Sequence, residues 1–347
     1  MGLRVACSEF FLFGVTGVSA STSFYDIAVV SGFKNDGIMG FSPGLISQWK
    51  RAICMIGLKK GVVALYDHDP QWEKAAEESI LKLKGILGPF ALDIQHVGST
   101  SIKSIKAKPI IDLAVAAKDL DEIRGLAPQL GREGFIHRPQ NDGDWQVYFQ
   151  CEDALTGMRT HHIHVVEAGG TRWKDYIRFR DYLNNHPSAA KAYENLKLEL
   201  MARHPGDRLS YTDGKAEFIG YVLRKAQIYA FRNKVVDVTI DRPVGTVHPK
   251  HETLFYPINY GYLEDEIAPD GEGLDVYILG VDTPLESFSG RIIAAVHRSN
   301  DIEDKLVAAT EGFKATAAEI AEAVRFQEQF YISSVEVYDE EQGNFNS

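Results

Sequence analysis

The sequence predicts an α+β protein of more than one domain, on three observations. Its 347 residues are enough for two domains, and its 45% hydrophobic and 24% charged content is typical of a globular protein. In the first part of the chain, short apolar strands alternate with long helical patterns, which favours a mixed sheet with helices packed on it. Farther on, strands and acidic turns dominate, so a second, smaller domain is expected. The predicted boundaries are 1–58 for an N-terminal extension, 60–228 for the first domain and 234–347 for the second.

Composition excludes several classes of protein. The net charge of −11 argues against a general nucleic-acid binder, which needs a basic face. Cys7, Cys54 and Cys151 lie far apart, as expected for a cytoplasmic protein in a reducing compartment without a metal-thiolate site. The apolar run Phe10–Val18 is too short to span a membrane, so no membrane partner is predicted. Oligomeric state is left open.

The first domain shows clear helix signals. Asp69 can cap a helix with Pro70 in its first turn, and Trp72, Leu83 and Leu87 belong to its predicted buried stripe. A further helix is predicted from Asp119 to Arg132. Three more follow, at residues 172–185, 188–204 and 213–228.

A glycine-hydroxyl loop lies between two predicted strands. Ala91–Gln95 leads into Gly98-Ser99-Thr100-Ser101, where glycine lets the backbone approach a polyphosphate and the N–H groups hold the anion. The next strand, Pro109–Ala116, carries Asp112, which can place a divalent cation beside those phosphates. Lys108 lies between loop and acid. The ordinary structural alternative is a polar turn followed by a hydrogen-bonded acid.

Two histidines alternate with apolar residues on the strand that begins at Thr160. Ile163 and Val165 point to one side, so His162 and His164 point to the other. If this strand neighbours that of Asp112, the acid and one or both histidines share a cleft. Imidazole and carboxylate are compatible ligands for divalent metals. The alternative is two half-exposed histidines that bond their neighbours.

Several short sequence motifs, in this order along the chain, resemble those of the GrpB family, a branch of the nucleotidyltransferase fold. They are Tyr66-Asp67, HVGSTS, KAKPIID, RFRDYLNNHP and YTDGK, spread over residues 62–226. The resemblance implies nucleotidyl transfer from a nucleoside triphosphate. Gly98, Ser99 and Lys108 are then the expected substrate contacts, and Asp112 the catalytic metal carboxylate, with His164 as a candidate metal ligand.

One position departs from the pattern of this fold, in which a second Asp or Glu usually follows the first acid. Here it is Ala114. A histidine or Glu167 substitutes for the missing carboxylate, or the substrate holds one metal, or catalysis is lost. Arg178 and Arg180 are either phosphate contacts or a solvated helix face.

The second domain has its own sequence motifs rich in acidic residues. After the strand Val235–Ile240, the turn Asp270-Gly-Glu272-Gly-Leu-Asp275 places three acids within six residues, which is typical of a hard-cation site. Farther on, Asp301, Glu303 and Lys305 occupy alternate positions. A regular strand would put these three on one face and Asp304 on the other.

The run from Tyr256 to Asp275 resembles the soluble inorganic pyrophosphatases, an oligonucleotide-binding-like β-barrel family that uses magnesium. The resemblance implies metal ligation by Asp270, Asp275 and Glu303, a phosphate contact from Lys305, and a role for Tyr260 at the site. Glu272 replaces the family's aspartate, the general base. Basic residues of the family pattern are missing; either Arg242, His248, Lys250 and Arg298 compensate, or they define another phosphorylated substrate.

Together these patterns predict a bifunctional enzyme. The first domain would transfer a nucleotidyl group, and the second would be an inorganic diphosphatase that hydrolyses the diphosphate released. The predicted cofactor is Mg²⁺, with Mn²⁺ as an alternative, and the predicted partners are a nucleoside triphosphate and diphosphate. Two alternatives remain: one or both domains bind these ligands without turnover, or the first domain is a nucleotide hydrolase. The predicted catalytic residues are Asp112, Tyr260 and Glu272; the substrate contacts are Gly98, Ser99, Lys108, Arg242, His248 and Lys305; and the metal ligands are Asp112, His164, Asp270, Asp275, Asp301 and Glu303.

Overall fold

A computed structural model describes residues 56–338 of the chain. All but the last three residues of the predicted N-terminal extension, including Phe10–Val18, Cys7 and Cys54, therefore lie outside the described residues. Among residues 56–338, none of the helices has both the length and the apolar character needed to cross a bilayer.

The first sheet is mixed, as predicted. Its strands are β1 (Ala91–Val97), β2 (Ile111–Ala117), β3 (Ile136–His137), β4 (Val147–Glu152) and β5 (Arg159–Glu167). They are ordered β1-β2-β5-β4-β3, with β2 and β5 parallel and the other pairs antiparallel. The parallel pair at the centre brings the start of β2, just after the glycine loop, beside the start of β5.

Helices cover this sheet on both faces. They are α1 (Gln71–Leu87), α2 (Leu120–Gly125), α3 (Ala127–Arg132), α4 (Thr171–Asn185), α5 (Pro187–Arg203), α6 (Arg208–Asp213) and α7 (Ala216–Tyr229). At the start of α1, the carboxylate of Asp69 accepts a hydrogen bond from the Gln71 amide at 2.9 Å. Trp72, Leu83 and Leu87 of α1 are buried against alternate residues of β2 and β5.

The single helix predicted from Asp119 to Arg132 is wrong. The structure has α2 and α3 there, divided at Leu126. Pro128 has no N–H to continue the first helix, and its ring clashes with the carbonyl four residues earlier. Proline is tolerated in a first turn, so a new helix begins around it.

The second sheet closes into a five-stranded barrel. Its strands are β6 (Val235–Arg242), β9 (Tyr260–Ile267), β10 (Gly273–Leu279), β11 (Ser287–Arg298) and β12 (Lys305–Ala309). The pairings run β6-β9-β10-β12-β11 and return to β6, so the sheet has no open edge within this circuit. The remaining elements are the hairpin β7 (Val247–His248) and β8 (His251–Phe255), the strand β13 (Ser333–Val337) on β11, and the helices α8 (Ala317–Ala323) and α9 (Arg325–Glu328).

Residues 56–229 are termed here the first lobe and residues 235–338 the barrel lobe; both belong to one compact unit. Charged side chains join them. Glu266 of β9 accepts hydrogen bonds from both Nη atoms of Arg178 at 2.8 and 2.9 Å and from Lys174 at 2.9 Å. Lys225 of α7 donates to Asp304 at 2.9 Å. Since α4 also lies against the first sheet, the barrel helps to position a helix that covers it.

Asp304 also holds an imidazole in its charged form. His297 lies between two carboxylates, at 2.7 Å from Asp304 and 3.0 Å from Glu336, one on each ring nitrogen. Ionised carboxylates only accept, so both nitrogens donate, which requires the imidazolium. Burial lowers the pKa of His297, but the two carboxylates outweigh it and the pKa rises above its ordinary value.

Candidate functional site

The glycine loop and the acid of β2 are in direct contact. Gly98 has φ of 69° and ψ of −168°, a conformation that essentially only glycine adopts. A Cβ atom at this position would lie 2.4 Å from Oδ2 of Asp112. The absence of a side chain at residue 98 therefore lets the carboxylate reach the loop backbone.

His162 orients the same carboxylate. It lies opposite Asp112 in the β2–β5 register, and its Nδ1 donates to Oδ1 of Asp112 at 3.1 Å. Burial raises the pKa of Asp112, but the bond from His162 and the nearby histidines outweigh it, so the pKa falls below the ordinary value. The carboxylate is therefore ionised at neutral pH, and its side chain is 27% exposed.

The other ring nitrogen of His162 is available to a ligand. Its Nε2 is buried and bonds no other described residue. Because Nδ1 donates to Asp112, Nε2 carries the lone pair in a neutral ring. A carboxylate that holds an imidazole in this tautomer is a common arrangement behind metal ligands.

His164 lies on the same face but in a different environment. Its Nδ1 donates to Gln146 at 3.2 Å, and its ring lies 5.2 Å from those of Tyr148 and Tyr176. Burial lowers the pKa of His164 to about 4, so the ring is neutral. The structure thus pairs Asp112 with His162, whereas His164, the histidine named above as a candidate metal ligand, bonds Gln146.

Three expectations about neighbouring residues are wrong. Glu167 ends β5 five residues beyond His162, a distance of about 16 Å at the rise of a strand, so it does not replace the missing carboxylate. Arg178 is occupied by Glu266 of the barrel. Arg180 donates to Gln95 and to the His96 carbonyl at 2.9 and 3.0 Å, which fixes α4 on β1.

Several cations surround Asp112. Lys108, a predicted contact, has its Nζ 3.9 Å from the centre of the Tyr211 ring, and Lys215 lies over the same ring at 5.0 Å. Arg159 and Arg208 act electrostatically on Lys108 as well. The sequence analysis gave Lys215 only as part of the motif YTDGK and missed both arginines, since Arg159 lies 51 residues from Lys108 and Arg208 lies in a short separate helix.

The donor set fits one metal ion better than two. Within residues 56–338 no group of three or more His, Cys, Asp or Glu side chains is placed to hold a metal. Asp112, oriented by His162 through Nδ1, is the single carboxylate offered to an ion, and substrate phosphates would have to complete the coordination. Ala114, beside His164 in the register, offers nothing to a second ion.

The barrel lobe gathers a second group of predicted residues around one ammonium. Lys305 is 2% exposed and donates to Tyr260 at 3.0 Å, to Glu303 at 3.0 Å and to Asp275. Burial raises the pKa of Glu303 well above its ordinary value despite this lysine. Asp270 and Glu272 lie on the exposed turn before β10, where Asp270 accepts from the Glu272 amide at 3.0 Å.

The prediction that Asp301 shares a face with Glu303 and Lys305 is wrong, because β12 begins only at Lys305. Asp301 instead accepts from Arg298 at 2.9 Å. Arg298 is buried and also bonds Glu328 through Nε and Nη2, so it is not available to a diphosphate.

Arg242 and His248 are less enclosed. Arg242 lies opposite Tyr260 in the register, at the same end of the barrel, and donates to Asp241 at 2.7 Å. His248 accepts a hydrogen bond from the Lys250 amide at 3.0 Å through Nδ1. Neither residue forms a hydrogen bond with Lys305.

Comparison with known proteins separates the two lobes. The family model described as GrpB protein matches residues 62–225. Glutamate-rich protein GrpB of Alkalihalophilus pseudofirmus is 38% identical over 174 residues, which are 49% of this chain and 99% of that protein. The structure of GrpB from Enterococcus faecalis is 29% identical and covers 47% of this chain and 96% of its own, with a TM-score of 0.43.

An inorganic pyrophosphatase from Ehrlichia chaffeensis covers 30% of this chain and 86% of its own at 16% identity, with a TM-score of 0.25. That likeness is too distant to assign the barrel lobe to a family. For the first lobe the near-complete match to a protein of known family is decisive: the chain belongs to the GrpB family.

Proposed function

We propose that the first lobe transfers a nucleotidyl group from a nucleoside triphosphate. The observation that carries the proposal is the contact between Asp112 and Gly98. It puts an ionised carboxylate directly beside the backbone of the loop that we expect to bind phosphate oxygens. A carboxylate beside a phosphate-binding loop is the arrangement needed to bring a divalent cation to the reacting phosphate.

In this scheme each residue has a limited task. Asp112, oriented by His162, would hold one Mg²⁺ or Mn²⁺, which supplies Lewis-acid polarisation of a phosphate oxygen when bound. The loop at Gly98 and Ser99 orients the phosphates, and Lys108 balances their charge. His164 stays neutral under Tyr148 and Tyr176 and shapes the apolar side of the site.

Replacing Asp112 with Asn tests the proposal. We expect transfer of label from an α-labelled nucleoside triphosphate in Mg²⁺ or Mn²⁺ to fall about 100-fold or more, in the range of losing one electrostatic catalytic group. Asp144→Asn, which changes an exposed acid of the same lobe, is the matched control and should leave transfer unchanged. Equal transfer by Asp112→Asn and the control would contradict the proposal. Nucleotide binding without turnover in Mg²⁺, Mn²⁺ and Co²⁺ would favour the non-catalytic alternative, and release of nucleotide products by water would favour a hydrolase.

A second candidate function, Mg²⁺-dependent hydrolysis of diphosphate by the barrel lobe, is favoured by one observation. Asp275, Glu303, Lys305 and Tyr260 come from three separate strands or loops and meet at one point. In the structure the ammonium of Lys305 occupies the position between the two carboxylates. A divalent ion there requires Lys305 to turn toward a phosphate.

Phosphate release from diphosphate in Mg²⁺ tests this candidate. If the barrel is a diphosphatase, Asp275→Asn should reduce the rate about 100-fold, whereas Asp282→Asn, on an exposed loop, should not. Absence of phosphate release by the wild-type chain above the Asp275→Asn background would remove this function and leave nucleotidyl transfer untouched.

A further inference from the structure

Four basic side chains of the first lobe form a group that we term the cation cluster: Lys108, Arg159, Lys215 and Arg208. They come from the segment before β2, the start of β5, the turn before α7 and the first residue of α6. Only Lys108 was expected at the site. Their convergence is therefore a property of the tertiary structure.

The two lysines of the cluster lie over one buried aromatic ring, Arg159 is buried and Arg208 is exposed. Tyr211 is 1% exposed, and the ammonium groups of Lys108 and Lys215 lie 3.9 and 5.0 Å from its ring centre. Arg159 is 7% exposed, and its buried Nε bonds no other described residue. A ring face attracts a cation but carries no net charge, so it does not neutralise either lysine.

The positive charge of the cluster is not balanced by the lobe itself. Within residues 56–338 none of the four side chains forms an ion pair, whereas the buried Arg298 and Lys305 pair with Glu328 and Glu303. Burial, followed by Lys215, Arg208 and Arg159, lowers the pKa of Lys108 to about 7, and Asp112 only partly opposes them. Burial also lowers the pKa of Lys215 and of Arg159, with Arg208 adding to both effects.

Desolvated like charges held together cost free energy unless an anion joins them. The anion must carry several charges, because Asp112 is the one acid that acts on both Lys108 and Lys215. The same site has a single metal carboxylate, with Ala114 where a second acid would serve a second ion. The extra basic side chains therefore lie at the same site as the missing carboxylate. Their positive charge can balance the phosphate charge that a second metal ion would otherwise balance.

We propose that the cation cluster binds the triphosphate of the nucleotide and takes the place of a second divalent metal ion, so that polyphosphate binding does not require metal. The inference rests on the proposed function for the identity of the nucleotide. Arg159 and Arg208 supply planar donors that suit two phosphate oxygens at once. Lys108 and Lys215 supply point charges, and a single metal held by Asp112 would be left for the reacting phosphate.

Calorimetric titration of the full chain with inorganic tripolyphosphate, in EDTA and in Mg²⁺, tests the inference without nucleotide or turnover. We expect saturable binding in EDTA that weakens about tenfold in Lys215→Met and in Arg208→Gln, as for one charge-assisted contact each. Lys118→Met and Arg132→Gln, on exposed positions of the same lobe, should bind as the wild type does. Titration near pH 8 in two buffers of different ionisation enthalpy should also show proton uptake, which Lys108→Arg reduces but does not abolish, because burial also lowers the pKa of Lys215 and of the neighbouring Lys197.

The outcomes separate this inference from the proposed function. Tripolyphosphate binding that disappears in EDTA, or that is equal in the cluster variants and the controls, overturns the cation cluster as a metal substitute. Intact nucleotidyl transfer together with either of those results would leave the proposed function standing. Metal-free binding of tripolyphosphate in a chain with no transfer of label would keep the cluster and overturn the transferase.

Discussion

Gly98→Ala is expected to lower the free energy of unfolding by about 3 kcal/mol or more and to abolish nucleotidyl transfer. Two costs add. Backbone strain at the conformation of Gly98 costs about 1–3 kcal/mol for any residue with a Cβ. The new methyl group would also lie 2.4 Å from the Asp112 carboxylate, so either the loop or the acid must move. Denaturant unfolding and the transfer assay measure the two effects.

Gly134→Ala is the matched control for Gly98→Ala. Gly134 also has a positive φ, of 91°, but a Cβ there meets nothing within 4 Å. We therefore expect only the backbone cost, about 1–2 kcal/mol, with transfer retained. If the two variants lose equal stability and both keep activity, close contact between Gly98 and Asp112 is not what the site requires.

Lys305→Met is expected to destabilise the chain by about 3–5 kcal/mol at pH 8, the usual cost of removing one partner from a buried ion pair. The substitution leaves Asp275 and Glu303 facing each other without a counter-ion. Glu303 already has a raised pKa, and loss of Lys305 should raise it further. A carboxyl whose folded pKa is raised adds stability below its unfolded pKa and loses it as the pH rises through the folded value.

The destabilisation by Lys305→Met should therefore be smaller at pH 6 than at pH 8, because protonated Glu303 carries no charge to balance. Chemical unfolding across this range measures it. Lys250→Met, which changes an exposed lysine of the same lobe, should have no effect at either pH. A constant cost across the range would mean that the Lys305–Glu303 pair does not govern the stability of the barrel.

Much of the site in the first lobe could be predicted from the sequence, because the patterns that indicate it lie within short segments. The glycine loop, the acid of β2 and the alternation of His162 and His164 each lie within one short segment, where the period of a strand decides which side chains share a face. The pairing of β2 with β5 then placed those residues opposite one another. The choice of His162 over His164 depended on register, which the segment alone does not specify.

The barrel shows the opposite case. Asp301, Glu303 and Lys305 have the spacing of a strand, but the strand begins only at Lys305, and Arg298 draws Asp301 away. A spacing of two residues predicts a shared face only where the backbone is extended. Likewise, Arg178 had the features of a phosphate contact until the barrel supplied Glu266 as its partner.

The sequence by itself determined the strand and helix periods, the loop that requires glycine and the single carboxylate at the reacting position, because each depends on residues close along the chain. Tertiary structure alone decided which cations remain unpaired. Ion pairs form between charges from distant segments. Lys108 and Lys215 therefore became a candidate phosphate site only when folding brought them together with Asp112 as the acid that acts on both.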